Sequence, residues 1–162
     1  IRTKTYFHSL VNPHKSISPA ASGVHGLTKA QLKECSRWNE VGQKFQQWVQ
    51  SRSQSENPPV LIAHNAAFDH SVIEYNNSHH NLQSINAEYV CSGKIFREYL
   101  DISSSEKWKL TDIASKLNVE SSDLKLHRAE GDVSLMIRCF AEIFGTTEFY
   151  ECIEFFVDSL PL

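Results

Sequence analysis

The run VLIAHNAAFD at 60–69 constrains the fold more than any other stretch. A short, uninterrupted apolar run is what a central strand covered on both faces requires, and a polar stretch closed by two prolines, SRSQSENPP, separates it from what precedes. Within two residues the pattern turns helical. A helix over about 65–75 then places Phe68, Val72 and Tyr75 on its buried side and Asp69 one turn in. An acid at the start of a helix that follows a buried strand needs a partner or a job.

The remaining pattern supplies neighbours for that strand. Tyr6, Phe7, Leu10 and Val11 alternate weakly with polar residues, which predicts a strand ending at Asn12 and Pro13. A Ser-, Pro- and Gly-rich loop, SISPAASGVHGLT, leads to a short helix through TKAQLKE capped by Thr28. Val41, Phe45, Trp48 and Val49 mark one face of a helix from Asn39, and a short strand is predicted at Glu88 to Cys91. Helices follow in GKIFREYL, around Leu110, Ile113, Ala114 and Leu117, over Ala129 to Phe144 with Val133, Met136, Ile137 and Phe140 inward, and over roughly Glu148 to Ser159. Strands interleaved with helices, with no repeat and no linker, predict one α/β domain spanning 1–162. The first residue is Ile1 and already enters a strand-like segment, so the domain is read as incomplete at its N-terminus.

Charge and cysteine usage narrow the function. A net charge of −3 gives no overall basic field, so a polyanion would have to be held locally. Cys35, Cys91, Cys139 and Cys152 lie far apart with no CxxC pair, as expected of reduced thiols in the cytosol or nucleus. No apolar run approaches the ~18 residues of a membrane span.

Three pieces carry the chemistry: VHGLT at 24–28, AHNAAFD at 63–69 and LHRAEGD at 126–132. In the last, His127 precedes a predicted helix and Asp132 lies in its first turns. A carboxylate on a rigid support suits Mg²⁺ or Mn²⁺, and an imidazole on the approach to it can take a proton from an attacking water. Phosphodiester hydrolysis is chemistry of this kind.

The order of these motifs resembles the DEDDh 3′→5′ exonucleases, most closely their proofreading branch, the epsilon-type subunits of bacterial DNA polymerase III. The resemblance runs from about Tyr6, where FHSLVNP stands, to about Phe144. It implies a ribonuclease H-like exonuclease fold, with a mixed central sheet flanked by helices and here lacking its first strand or strands. It further implies two divalent ions, Mg²⁺ or Mn²⁺, bound by four acidic residues, and release of nucleoside 5′-monophosphates from a single-stranded or frayed 3′ end of DNA or RNA. A polymerase is the protein partner it suggests, and no membrane. By match to the motifs, Asp69 and Asp132 are metal ligands, His127 is the general base, and His25, Gly26 and Asn65 lie in segments that meet the substrate. The family's first motif, Asp-x-Glu, occurs nowhere in this chain. The alternative is therefore a catalytically inactive, exonuclease-like module that binds nucleic acid or protein.

Each residue also has a plain structural role open to it. Asp69 and Asp132 can simply complement a helix dipole. Asn65 can cap the helix that follows, Gly26 can serve a turn, and His79 and His80 are adjacent polar loop residues without further ligands at suitable spacing. Trp48 is expected in a helix core.

Overall fold

The structure, a computed structural model, describes residues 6–52, 58–103, 106 and 108–145. The chain divides into two compact units, Ile1–Leu61 with Ala67–Glu88, and Ile62–Ala66 with Tyr89–Leu162. In chain order the elements are α1 (Pro19–His25), α2 (Lys29–Leu32), α3 (Trp38–Gln50), β1 (Val60–Ala63), α4 (Ala66–His79), β2 (Glu88–Cys91), α5 (Ser92–Tyr99), α6 (Leu110–Lys116) and α7 (Ala129–Phe144).

In the first unit, α1 replaces part of the loop expected from composition. Its signals are local: the Ser18 hydroxyl accepts the Ala21 N–H at 3.1 Å, and Pro19 stands at the first helical position. No residue of α1 is buried, so it has no apolar period to betray it. Thr28 opens α2 with a reciprocal cap, its hydroxyl accepting the Gln31 N–H while Gln31 Oε1 accepts the Thr28 N–H at 2.8 Å. The expected face of α3 is observed. Val41 and Val49 are buried, and Phe45 and Trp48 pack against Phe7 with ring centroids 5.5 and 6.1 Å apart. Gly42 leaves room for its neighbours: a Cβ there would lie 2.8 Å from both Leu82 Cδ1 and Trp38 Nε1 and force those side chains to shift. The Trp38 indole donates to Asn77 Oδ1 at 2.9 Å, which satisfies one end of a fully buried amide.

Strands β1 and β2 form a two-stranded sheet. The Glu88 N–H donates to the Pro59 carbonyl at 3.0 Å, so the two strands pair start to start and run parallel. In the second unit the core is built by α5, α6 and α7: Phe96, Leu110, Ile113, Ala114, Leu135, Met136, Cys139 and Phe140 form one cluster, with the Phe96 and Phe140 rings 4.5 Å apart. Arg138 on α7 grips the preceding loop, donating to both Asp123 oxygens at 2.7 Å and to the Glu120 carbonyl at 2.9 Å. That fork holds the Asp123 carboxyl below its ordinary pKa.

Several expectations are corrected. Tyr6 to Val11 joins no sheet; a strand needs a partner ladder, and the described residues offer none, so the segment is anchored instead by the Asn12 N–H and side chain on the carbonyls of Ser36 and Lys33. The VLIA strand is half-buried rather than covered on both faces; among the described residues β1 pairs only with β2. Phe68, Val72 and Tyr75 on α4 are 64%, 41% and 57% exposed, and Val133 and Ile137 on α7 are 49% and 39% exposed. The periodicity named these positions correctly as apolar, but among the described residues no element covers them. Tyr75 instead stacks on His79, which is the last residue of α4 rather than part of a loop. The helix expected over Glu148 to Ser159 lies outside the described residues. Among those described, no helix is long and apolar enough to cross a membrane.

Candidate active site

His127 and Asp132 meet within the second unit. Asp132 sits in the first turn of α7, and its Oδ1 accepts the main-chain N–H of His127 at 3.0 Å. His127 itself is exposed and has φ 61, a left-handed backbone that a non-glycine residue adopts only when its surroundings impose it. Gly131 makes the turn possible. A Cβ at that position would stand 2.2 Å from the Lys125 carbonyl oxygen, so only a glycine lets the 125–127 turn lie against the start of α7. The spacing of His127 and Asp132 was legible in the sequence; the glycine between them was quoted there in LHRAEGD without a role, and its signal is its place next to the acid.

Asp69 is half-buried in the first turn of α4, where the helix dipole favours its charge. It belongs to the first unit, as do His25 and Gly26. His25 ends α1, and its Nδ1 accepts the Leu27 N–H at 3.0 Å. Gly26 takes the left-handed conformation, φ 65, and returns its N–H to the Ser22 carbonyl at 2.8 Å, while the Ser22 hydroxyl donates to the Leu27 carbonyl at 2.9 Å. The VHGLT turn is thus held by one bond within itself and two to Ser22 of α1, and presents His25 half-buried.

Asn65 departs from its expected role as a cap. With φ 69 it is left-handed, whereas a capping residue is extended, and asparagine tolerates that conformation better than most residues. It marks a sharp corner between β1 and α4. Beside it, His64 Nδ1 lies 3.4 Å from the Ser92 hydroxyl, and Gly93 leaves room for the His64 ring, since a Cβ there would approach His64 Cε1 to 3.3 Å.

Cys91 ends β2 at the same corner. Burial pushes its thiol up, but hydrogen bonds with the backbone of Ala66, Lys94, Asn65 and Gly93 outweigh it, and the net result is a lowered pKa. Cys139, in the apolar core, is pushed up to about 11 by burial. Cys35, Cys91 and Cys139 are free thiols, as expected.

The carboxylates of Asp69 and Asp132 are hard oxygen donors of the type that Mg²⁺ and Mn²⁺ take. Among the described residues, however, no three His, Cys, Asp or Glu side chains converge, so these residues do not make a complete metal site. What the second unit does assemble is an exposed imidazole, His127, on a turn whose main-chain N–H bonds the carboxylate of Asp132.

Comparison with known proteins adds the following. A family model described as exonuclease matches residues 2–140. The epsilon subunit of DNA polymerase III from Pasteurella multocida is 26% identical over 144 residues, covering 88% of this chain and 54% of that protein. An epsilon-like protein of Rhodobacter capsulatus is 26% identical over 137 residues, 85% of this chain and 18% of its own length. A PolC-type DNA polymerase III of Mycoplasmopsis pulmonis is 25% identical over 141 residues, 82% of this chain and 9% of its own. The chain therefore spans about half the length of the first of these relatives and less of the others.

Proposed function

The chain belongs to the exonuclease family, and from that premise we propose that it serves as a 3′→5′ exonuclease domain, hydrolysing the terminal phosphodiester of a DNA or RNA strand. The observation that carries this reading is the His127–Asp132 pair: an exposed imidazole at the start of α7, held on its turn by the acid five residues on. His127 is the general base. It takes a proton from the attacking water, and its exposure leaves it open to a strand end. The VHGLT turn, with His25 and Gly26, and the corner residue Asn65 are the proposed contacts to the terminal nucleotide.

Divalent ions are general to the family. In the finer reading, Asp69 and Asp132 are each proposed as ligands of Mg²⁺ or Mn²⁺, two of the four carboxylates the resemblance implies, and among the described residues no three ligating side chains converge. The proposed source of the other two is a segment carrying Asp-x-Glu on a strand beside β1, whose second edge is unpaired among the described residues. A polymerase partner is part of the same proposal, suggested by the relatives' names.

The bond cleaved defines the test. With the full-length protein, a 3′-labelled single strand is expected to release its label at once as a nucleoside 5′-monophosphate. Release of internal fragments, or of 3′-phosphorylated mononucleotides, would overturn the assignment.

A further inference from the structure

We propose that the solvent-facing stripe of α4 is a single-strand binding track, on which bases upstream of a 3′ end stack against Tyr75 and His79 while the Lys15 ammonium meets a phosphate. The proposal rests on the exonuclease reading for the kind of strand. Phe68, Val72, Tyr75 and His79 recur at i, i+4, i+7 and i+11, which puts them on one side of the helix. At 1.5 Å per residue they span about 17 Å. Asn77, on the opposite side, is fully buried, whereas Phe68, Val72 and Tyr75 are all exposed. Contiguous apolar and aromatic surface left open in this way marks an interaction site.

Charge decides what the stripe takes. The Lys15 ammonium stands 5.7 Å from the centre of the Tyr75 ring. A pinned turn brings it there: the Asn12 side chain accepts the His14 N–H at 3.0 Å and donates to the Lys33 carbonyl at 2.8 Å. Tyr75 and His79 stack within 14° of parallel, and His80 meets His79 edge-on. The polar residues flanking the stripe are neutral and turned back on the helix, the Ser71 hydroxyl donating to the Phe68 carbonyl and the Asn76 amide to the Val72 carbonyl. Of the two acids on α4, Glu74 lies off the stripe and accepts the Ser84 hydroxyl, and Asp69 stands at the end where the reaction is placed. Aromatic faces with a cation over them, and no acid among them, suit the bases and phosphates of a single strand; a duplex keeps its base faces covered.

The test is fluorescence anisotropy of the full-length protein with a short labelled oligothymidylate, in a chelator so that nothing is cleaved. Tyr75→Ala is expected to weaken binding about five- to hundredfold, the contribution of one stacked base, and Tyr75→Phe, which keeps the ring, to stay within about twofold. Lys15→Gln should reduce the slope of log affinity against log salt by about 0.7, the value for one phosphate contact on a single strand. A blunt duplex of the same length should compete poorly. Tyr75 is exposed, so a thermal melt should show each variant folded. If Tyr75→Ala fails to fold, the salt slope of Lys15→Gln and the duplex competition still decide. Full affinity in Tyr75→Ala, an equal loss in Tyr75→Phe, an unchanged slope in Lys15→Gln, equal competition by the duplex or no binding at all would each overturn the proposal, and the first would leave the stripe to a protein partner. Every readout is binding without a divalent ion, so the proposal can fail while the hydrolysis assay upholds the exonuclease reading.

Discussion

Replacing Gly131 with alanine should destabilise the protein and lower its hydrolytic activity together. In most helices the exchange would gain up to about 1 kcal/mol, because glycine is the poorer helix former. Here the added Cβ would meet the Lys125 carbonyl oxygen at 2.2 Å and its carbon at 2.7 Å, and both are backbone atoms that cannot swing aside. Overpacking of this kind costs about 1–3 kcal/mol, enough to reverse the sign. At roughly 2–4 °C per kcal/mol for a chain of this size, the melting temperature should fall by several degrees. Strain relieved by moving the 125–127 turn displaces His127 as well, so turnover measured well below the melting temperature should fall too. A variant that melts at the same temperature and turns over normally would show that the turn does not pack on α7 as described.

The second large effect is expected at His127 itself. His127→Asn removes the proton acceptor while leaving a residue that accepts a left-handed backbone, so the fold should be almost untouched. A general base contributes about 10²–10⁴-fold to a rate, and the loss in turnover should fall in that range with little change in stability. A thermal melt alongside initial-rate measurements separates the two. Turnover within about threefold of the unsubstituted protein would remove His127 from the role of base, since even a weak base contributes more than that.

Much of this was legible in the residues because it rests on local signals. The periods of α3 and α6, the extent of α7, the four apolar residues of β1 and the spacing of His127 to Asp132 need no knowledge of tertiary contacts. The miscast parts depended on partners. Tyr6 to Val11 has the composition of a strand but no ladder to join among the described residues, and Phe68, Val72, Tyr75, Val133 and Ile137 have the apolarity of a buried face that no described element covers. Periodicity reports what a side chain would cover, not whether a cover is there. α1 escaped for the opposite reason: it buries nothing, so only Ser18 and Pro19 mark it. The left-handed corner at Asn65 and the close approach at Gly131 are matters of a single dihedral and a single atom, which a hydrophobic pattern does not encode.

The central proposal is that the protein trims strands from the 3′ end and that Asp69, His127 and Asp132 are each needed for it. The most direct measurement is a time course with a 5′-labelled single strand, DNA and RNA in parallel, in the presence of Mn²⁺, comparing the full-length protein with its Asp69→Ala and Asp132→Ala variants at matched fold. The account predicts a ladder that shortens from the 3′ end, needs the added ion, and disappears in both variants. A ladder that persists undiminished in Asp132→Ala would contradict it, and a strand left intact by every form would favour an exonuclease-like module that binds without cutting.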